Sequence, residues 1–166
     1  AGIPVHLDGA RLFNASIASR IPAREYAACA TTVMTCLSKG LASPVGSMLA
    51  GPADLMERCR RIRKSFGGGL RQEGLLAACG LVSLRSMVDR LADDHANARL
   101  LAEGLNQTGL VKPVDLSTVQ TNIIIAELAP HLPDLSTVQQ LLSDRGLLVT
   151  SFPPRYIRLC THKDVD

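Results

Sequence analysis

Lys39 is the residue of this chain whose setting most invites chemistry. It follows the β-branched run Thr31 to Leu37 and Ser38, and it precedes Gly40. A lysine held against an apolar wall sheds its proton more readily than one in water, and the free amine can form a Schiff base with a carbonyl. A solvated lysine at a turn carries the same local sequence and does no chemistry. Asp8 and Arg11 stand in the run Asp-Gly-Ala-Arg, behind Val5-His6-Leu7. A carboxylate and a guanidinium at a strand's carboxyl end can face one cleft, because ligands of open α/β sheets bind outside that end. The competing reading is a surface turn with a weak local ion pair. His6 shares the strand face of Asp8 and either touches the same ligand or packs. Ser38 could hydrogen-bond a phosphate, or simply serve the turn.

A second set of candidates is basic. Gly67-Gly68-Gly69 precedes an expected helix whose first turn holds Arg71 and Gln72. Free backbone N–H groups at a helix start favour an anion, although no Lys-Ser or Lys-Thr follows to make a Walker A loop. A flexible turn between domains is the alternative. Arg58, Arg60, Arg61, Arg63 and Lys64 form a dense run without interleaved aromatics. A solvated helix face, with its cations toward the C-terminus, explains that run better than nucleic-acid contact. His95 and His131 lack ligand spacing. No Ser-His-Asp order and no G-x-S-x-G elbow is present.

Composition narrows the class. The 166 residues are 46% hydrophobic and 20% charged, with a net charge of +3, enough apolar content for a core and too little charge to suggest nucleic acid. No apolar run approaches the ~18 residues needed to span a bilayer. The opening residues show no basic, apolar leader, so a secretory signal is expected to be absent or removed. Five cysteines, none in C-x-x-C spacing, argue against a disulfide framework and a zinc site. They read as reduced, buried thiols in a cytosol-like compartment. Aromatics are scarce, three Phe and two Tyr with no Trp, so a flat ligand has few stacking partners here.

The elements follow from periodicity. Residues 3–10 and 31–37 read as strands, and 45–50 as a neighbour of the second. Residues 53–64 read as a helix started by Pro52. Residues 71–91 read as a second helix with Leu75, Cys79, Val82, Ser86 and Leu91 near one face, and 93–107 as a third, ending near Gly109. Strands are expected at 111–116, 120–127, 147–151 and 156–161, with a helix at 135–145. That later order describes a small α+β layer, and the domain boundary is placed near residue 92. The near-repeat VDLSTVQ at 114–120 and PDLSTVQ at 133–139 is too short to signal a solenoid.

Taken together and in this order, the pieces resemble the threonine aldolases, pyridoxal-phosphate enzymes of the aspartate-aminotransferase fold type. The matching segments are VHLDGARLFNA at 5–15, TVMTCLSKGLASPVGSMLAG at 32–51, RKSFGGGLRQEGLLAA at 63–78 and RYIRLCTHKDV at 155–165. Residues 80–150 match in pattern rather than by motif. Ser43 and Lys163 depart from the family's segments. The family's chain is about twice as long, so this one resembles its C-terminal half. The front half would carry the phosphate-binding loop, the histidine that stacks on the cofactor ring and the base for the substrate hydroxyl.

The resemblance implies an α/β fold. Residues 1–92 would be the C-terminal part of the large cofactor-binding domain, with a mostly parallel sheet and helices. Residues 93–166 would be a small α+β domain. It implies pyridoxal 5'-phosphate as cofactor, tethered to Lys39, with Asp8 at the ring nitrogen. Arg11 would bind cofactor and grip the substrate carboxylate, with Arg158 as a second clamp. Ser38 and Arg71 would lie on the phosphate side, with His6 and Lys64 nearby in less defined duties. No metal is implied. The implied reaction splits threonine or allo-threonine, β-hydroxy-α-amino acids, into glycine and acetaldehyde, in a cytoplasmic homo-oligomer. A truncated, inactive chain that binds cofactor or a full-length partner is one alternative. A β-eliminating lyase or transaminase of the same fold type is another.

Overall fold

The structure is a computed structural model that describes residues 2–165. The chain forms two compact units, Ala1–Ala92 and Asp93–Asp166, each with its own core.

In the first unit, strand β1 (His6–Asp8) pairs in parallel with β2 (Thr32–Cys36), and β2 pairs antiparallel with β3 (Ser47–Ala50). The Thr and Val of β2 suit a pleated surface. β1 is shorter than the alternating run of residues 3–10. Pro4 offers no N–H to a ladder, and at Gly9 the chain turns away after donating its N–H to the Met34 carbonyl at 2.8 Å. Helix α1 (Leu12–Ser19) buries Leu12 and Asn14, and α2 (Ala23–Ala28) follows. Leu37, Leu41 and Leu91 form the core, with Phe13, Ile17, Met87 and Val88 against them.

Helix α3 (Ala53–Ser65) starts behind Pro52, as its sequence leads one to expect, and buries no residue. Helix α4 (Gly74–Ser86) is shorter than the expected 71–91 and turns a different face inward. Gly80 and Ser83 are buried, whereas Leu75 is 76% and Val82 62% exposed. Small residues let this helix come close: a Cβ on Gly80 would sit 3.0 Å from Leu37 Cδ1. Close backbone approach here outweighs the burial of larger side chains.

Helix α5 (Leu91–Thr108) opens with the last two residues of the first unit and runs through the second. Its fully buried Ala98 and Ala102, one turn apart, let it lie close to the core that includes Ile124, Ala126 and Ile157. The sheet has β4 (Ile123–Glu127), β6 (Tyr156–Cys160) and β5 (Thr150–Phe152) in the order β4-β6-β5, all antiparallel. Helix α6 (Leu135–Ser143) lies between β4 and β5 in sequence. The strand expected at 111–116 does not form. Only Val111 bridges, to Leu128. Pro113 removes a donor, and the Asn106 side chain takes both backbone groups of Val114, accepting its N–H at 2.7 Å and donating to its carbonyl at 3.0 Å. A 3-10 turn (Leu116–Thr118) comes next.

Candidate functional site

Two loops leave the carboxyl ends of adjacent parallel strands. One carries Asp8 at the last position of β1, in register with Met34 of β2. The other carries Ser38 and Lys39 just beyond β2. Glycines hold both loops close. A Cβ on Gly9 would meet the Met34 carbonyl oxygen at 2.7 Å, and one on Gly40 would meet Leu91 Cδ2 at 2.7 Å and Asn14 Oδ1 at 3.3 Å. Gly40 is therefore pressed onto α1, the helix that begins directly after Arg11. The Lys39 loop is tied down by Ala42 N–H to Lys39 O at 2.8 Å, Ser43 N–H to Leu37 O at 3.0 Å and Leu37 N–H to Gly46 O at 2.9 Å. A fixed backbone thus presents an exposed lysine side chain.

The groups at this edge differ in engagement. Asp8 Oδ1 accepts the Ala10 N–H at 3.1 Å, and the carboxylate is exposed. The amine of Lys39 and the hydroxyl of Ser38 are exposed and make no hydrogen bond or ion pair among the described residues. Arg11 is half-buried at the start of α1. It packs in a narrow cleft, too small to hold a water, beside Asn14, Thr35, Cys36 and Gly40. His6 lies on the Asp8 face and bonds through Nδ1 to Thr32 Oγ1 at 2.8 Å.

The glycine loop is not the helix-start cradle that the sequence suggests. Its N–H groups close the previous helix instead: Gly67 N–H reaches Lys64 O at 3.1 Å and Gly68 N–H reaches Arg63 O at 2.9 Å, with Gly67 at φ +82. Arg71 lies in a bend ahead of α4, not in its first turn. A shallow hollow of about 480 Å³ is lined by Arg60, Arg63, Lys64, Gly69, Leu70 and Arg71. Two of these cations are matched, Arg60 with Glu57 at 3.2 Å and Arg63 with Glu73 at 3.7 Å. Arg58 and Arg61 are exposed on α3. In the second unit, Arg158 occupies the middle of β6, flanked across the sheet by Ile125 and Thr150.

The family model for beta-eliminating lyases matches residues 1–129. The chain belongs to that family. A low-specificity L-threonine aldolase of Arabidopsis thaliana is 40% identical over 167 residues, which is 99% of this chain and 46% of that protein. The corresponding Escherichia coli protein is 37% identical over 163 residues, 98% of this chain and 46% of its own length. The solved threonine aldolase of Leishmania major shares the fold, with a TM-score of 0.72 at 15% identity, across 99% of this chain and 48% of that one. These relatives bear out the resemblance read from the motifs. The chain spans about half the length of the curated relatives it matches.

Several features of this beta-eliminating lyase chain escaped the sequence reading. Thr35 Oγ1 and Ser43 Oγ are buried without a hydrogen-bond partner among the described residues. Phe152 and Tyr156 stack with ring centroids 5.4 Å apart; the alternation of β6 could have placed Tyr156 on the face of Arg158. All five cysteines are free, as expected, but none is fully buried and Cys29 is exposed. Among the described residues no cluster of His, Cys, Asp and Glu could hold a metal ion, and no helix is long and apolar enough to cross a membrane.

Proposed function

We propose that this chain is the C-terminal half of a pyridoxal-phosphate-dependent lyase that splits threonine or allo-threonine into glycine and acetaldehyde. One observation carries the reading: Asp8 ends one of two neighbouring parallel strands and Lys39 lies just past the carboxyl end of the other, where Gly9 and Gly40 make close backbone approaches. The donor set at this edge fits the cofactor, with an exposed primary amine for its aldehyde and an exposed carboxylate for its ring nitrogen. Residues 1–92 are read as part of the cofactor-binding domain and 93–166 as the small domain.

When bound, pyridoxal phosphate supplies an electron sink for the carbanion left as the Cα–Cβ bond of the amino acid breaks. Lys39 tethers the cofactor through its amine. The Asp8 carboxylate holds a proton on the ring nitrogen. Arg11 binds the substrate carboxylate with its two-pronged guanidinium, which fixes the orientation of the scissile bond better than a lysine point charge. Ser38 donates its hydroxyl to the phosphate, with Arg71 and Lys64 supplying positive charge from the basic hollow. His6, held by Thr32, lies beside Asp8 as a further contact. Arg158 is a second residue for the substrate carboxylate. The five free thiols support a cytoplasmic setting, and the exposed apolar face of α4 supports a homo-oligomer.

Adding pyridoxal phosphate to the purified chain is expected to produce an imine absorbance band that Lys39→Ala loses. Borohydride is expected to fix the cofactor's mass onto Lys39. Acetaldehyde release from threonine then marks the lyase. A band without acetaldehyde marks a chain that only binds cofactor, and pyruvate-type or transamination products mark a different enzyme of the fold. No band at all would refute the assignment of Lys39.

A further inference from the structure

The second unit holds a cavity of about 310 Å³ between the end of α5, helix α6 and strand β6. Its floor is made of core residues, with Leu128 2% and Ile157 5% exposed. Its rim is open, with Leu110, Leu141 and Leu147 between 44% and 49% exposed. Arg145 is the one charged or polar side chain on a wall that is otherwise apolar. The turn after α6 shapes the rim. Gly146, at φ +80, donates its N–H to Ser143 O at 2.9 Å, and Leu147 N–H returns to Leu142 O at 2.9 Å. Arg145 spends Nη1 on the Leu141 carbonyl at 2.9 Å. A guanidinium carries five N–H donors, so most of them stay available. The neighbouring Asp144 carboxylate accepts from Gln140 Nε2 at 2.7 Å, and no carboxylate lies within ion-pair distance of Arg145 among the described residues. Water in such a hollow finds few hydrogen-bond partners, so an apolar molecule displaces it favourably.

We propose that this cavity binds an unbranched aliphatic carboxylate, with the chain laid over Ile157 and Leu159 and the head on the free donors of Arg145. The volume is that of one small ligand. A chain of ~8–10 carbons fills it at about the density of a protein interior. The wall holds no aromatic ring and no hydroxyl, so nothing in it selects a flat or a polyhydroxylated molecule. The guanidinium fork matches the two oxygens of a carboxylate, and its charge repels a cationic head. The exposed position of Arg145 keeps that head in contact with water, so its charge is not buried while the chain is. The site lies wholly within residues 105–159 and does not depend on whether Lys39 carries a cofactor.

The test is an NMR titration of the 166-residue chain, isotope-labelled on its Leu, Ile and Val methyl groups, with hexanoate, octanoate, decanoate and dodecanoate below their micelle concentrations. Decanoate is expected to move the methyl signals of Val149, Ile157 and Leu159 and to leave Leu75 and Val82, exposed on α4, unmoved. Affinity is expected to rise about fourfold per added methylene up to decanoate and then to level off as the cavity fills. Decanol and decylamine are expected to bind about tenfold more weakly, for want of the charged contact. Arg145→Gln is expected to bring decanoate and decanol within about twofold of each other. Leu141→Trp, which sets a ring over the open rim, is expected to abolish the decanoate shifts. Affinity that keeps rising past decanoate, with equal shifts at Leu75 and Val82, shows surface adsorption and overturns the site. Decanol that binds the native chain as well as decanoate overturns the carboxylate and the role of Arg145. Cavity signals that change on dilution with no ligand present put a second copy of the chain in the groove and overturn the proposal, as does a cavity silent to all four acids.

Discussion

Thr35 places a hydroxyl where nothing answers it among the described residues. Its Oγ1 is buried without a hydrogen-bond partner, in a narrow cleft shared with Arg11 and Gly40. A buried polar atom left unsatisfied costs about 1–3 kcal/mol, and an apolar group of the same shape recovers much of that. Thr35→Val keeps the β-branched shape that β2 favours. It is expected to raise stability by about 1 kcal/mol, seen as a higher denaturant midpoint at unchanged slope; a lower midpoint would show that the hydroxyl has a partner after all. His95 behaves in the opposite sense. Burial pulls its pKa down, and the neighbouring Asp94 carboxylate opposes this only in part. Its folded pKa therefore lies below its unfolded value of ~6.5. The unfolded chain takes the proton first as pH falls, so the stabilising contribution is complete above the unfolded pKa and shrinks as pH drops through and below it. Thermal melts between neutral and mildly acidic pH are expected to fall less steeply for His95→Gln than for the native chain. Identical slopes would place His95 in water.

The six-residue run Asp-Leu-Ser-Thr-Val-Gln occurs twice and folds two ways. At Asp115 it caps a 3-10 turn, the carboxylate accepting the Ser117 N–H at 2.9 Å. At Asp134 it caps α6, accepting N–H bonds from Ser136 and Thr137, each at 3.1 Å, and hydroxyl bonds from both side chains. The cap is the same, and the residues beyond the run decide: Asn122 and a β-branched strand in one case, Gln140-Leu141-Leu142 in the other. These bonds hold the Asp134 carboxyl well below the usual carboxylate range, chiefly through the Ser136 hydroxyl. Its stabilising contribution is therefore present above the unfolded pKa of ~3.9 and is lost as pH falls toward the folded one. Asp134→Ala is expected to lower the melting temperature at neutral pH, with the gap to the native chain closing in strong acid; a gap that stays constant with pH would remove the cap from the explanation. The loop of Lys39 holds a different kind of strain. Ala42 sits at φ 55, where a Cβ costs about 1–2 kcal/mol, so Ala42→Gly is expected to stabilise the chain even after the glycine's extra chain entropy is counted. Strand and helix cores at 32–36, 53–65, 91–108 and 123–127 are legible in the sequence because one period runs through each. The glycine run misleads because Gly67 and Gly68 serve the helix behind them, and no local signal says which helix a glycine serves. Residues 111–116 mislead because Asn106, several residues away, takes the backbone groups of Val114 that a strand partner would need. The site loops are legible only through motif resemblance, since spacing alone leaves Asp8, Arg11 and Lys39 as ordinary turn residues.

At the scale of the whole molecule, apolar surface is left over that neither core consumes. The stripe Leu75, Cys79 and Val82 on α4 is real, and the sequence marks it as an inward face. The helix instead turns Gly80 and Ser83 inward and leaves Leu75 and Val82 mostly in water. Leu81 and Leu84 are exposed on the same helix, and Phe66 is exposed just ahead of it. Large apolar side chains left exposed on a folded surface suit contact with a further apolar surface. A second copy supplies the same surface, and a face of this kind can complement itself across a two-fold axis. The chain is therefore expected to sediment above its own 17.7 kDa at tens of micromolar and to dissociate on dilution. Leu75→Glu with Val82→Glu places two charges on the exposed stripe without touching Gly80 or Ser83. That double variant is expected to sediment at the monomer mass with an unchanged helical circular-dichroism signal. A native chain that stays monomeric at every concentration would show that the α4 surface has no use for a second copy. A double variant that still assembles would move the interface elsewhere on the molecule.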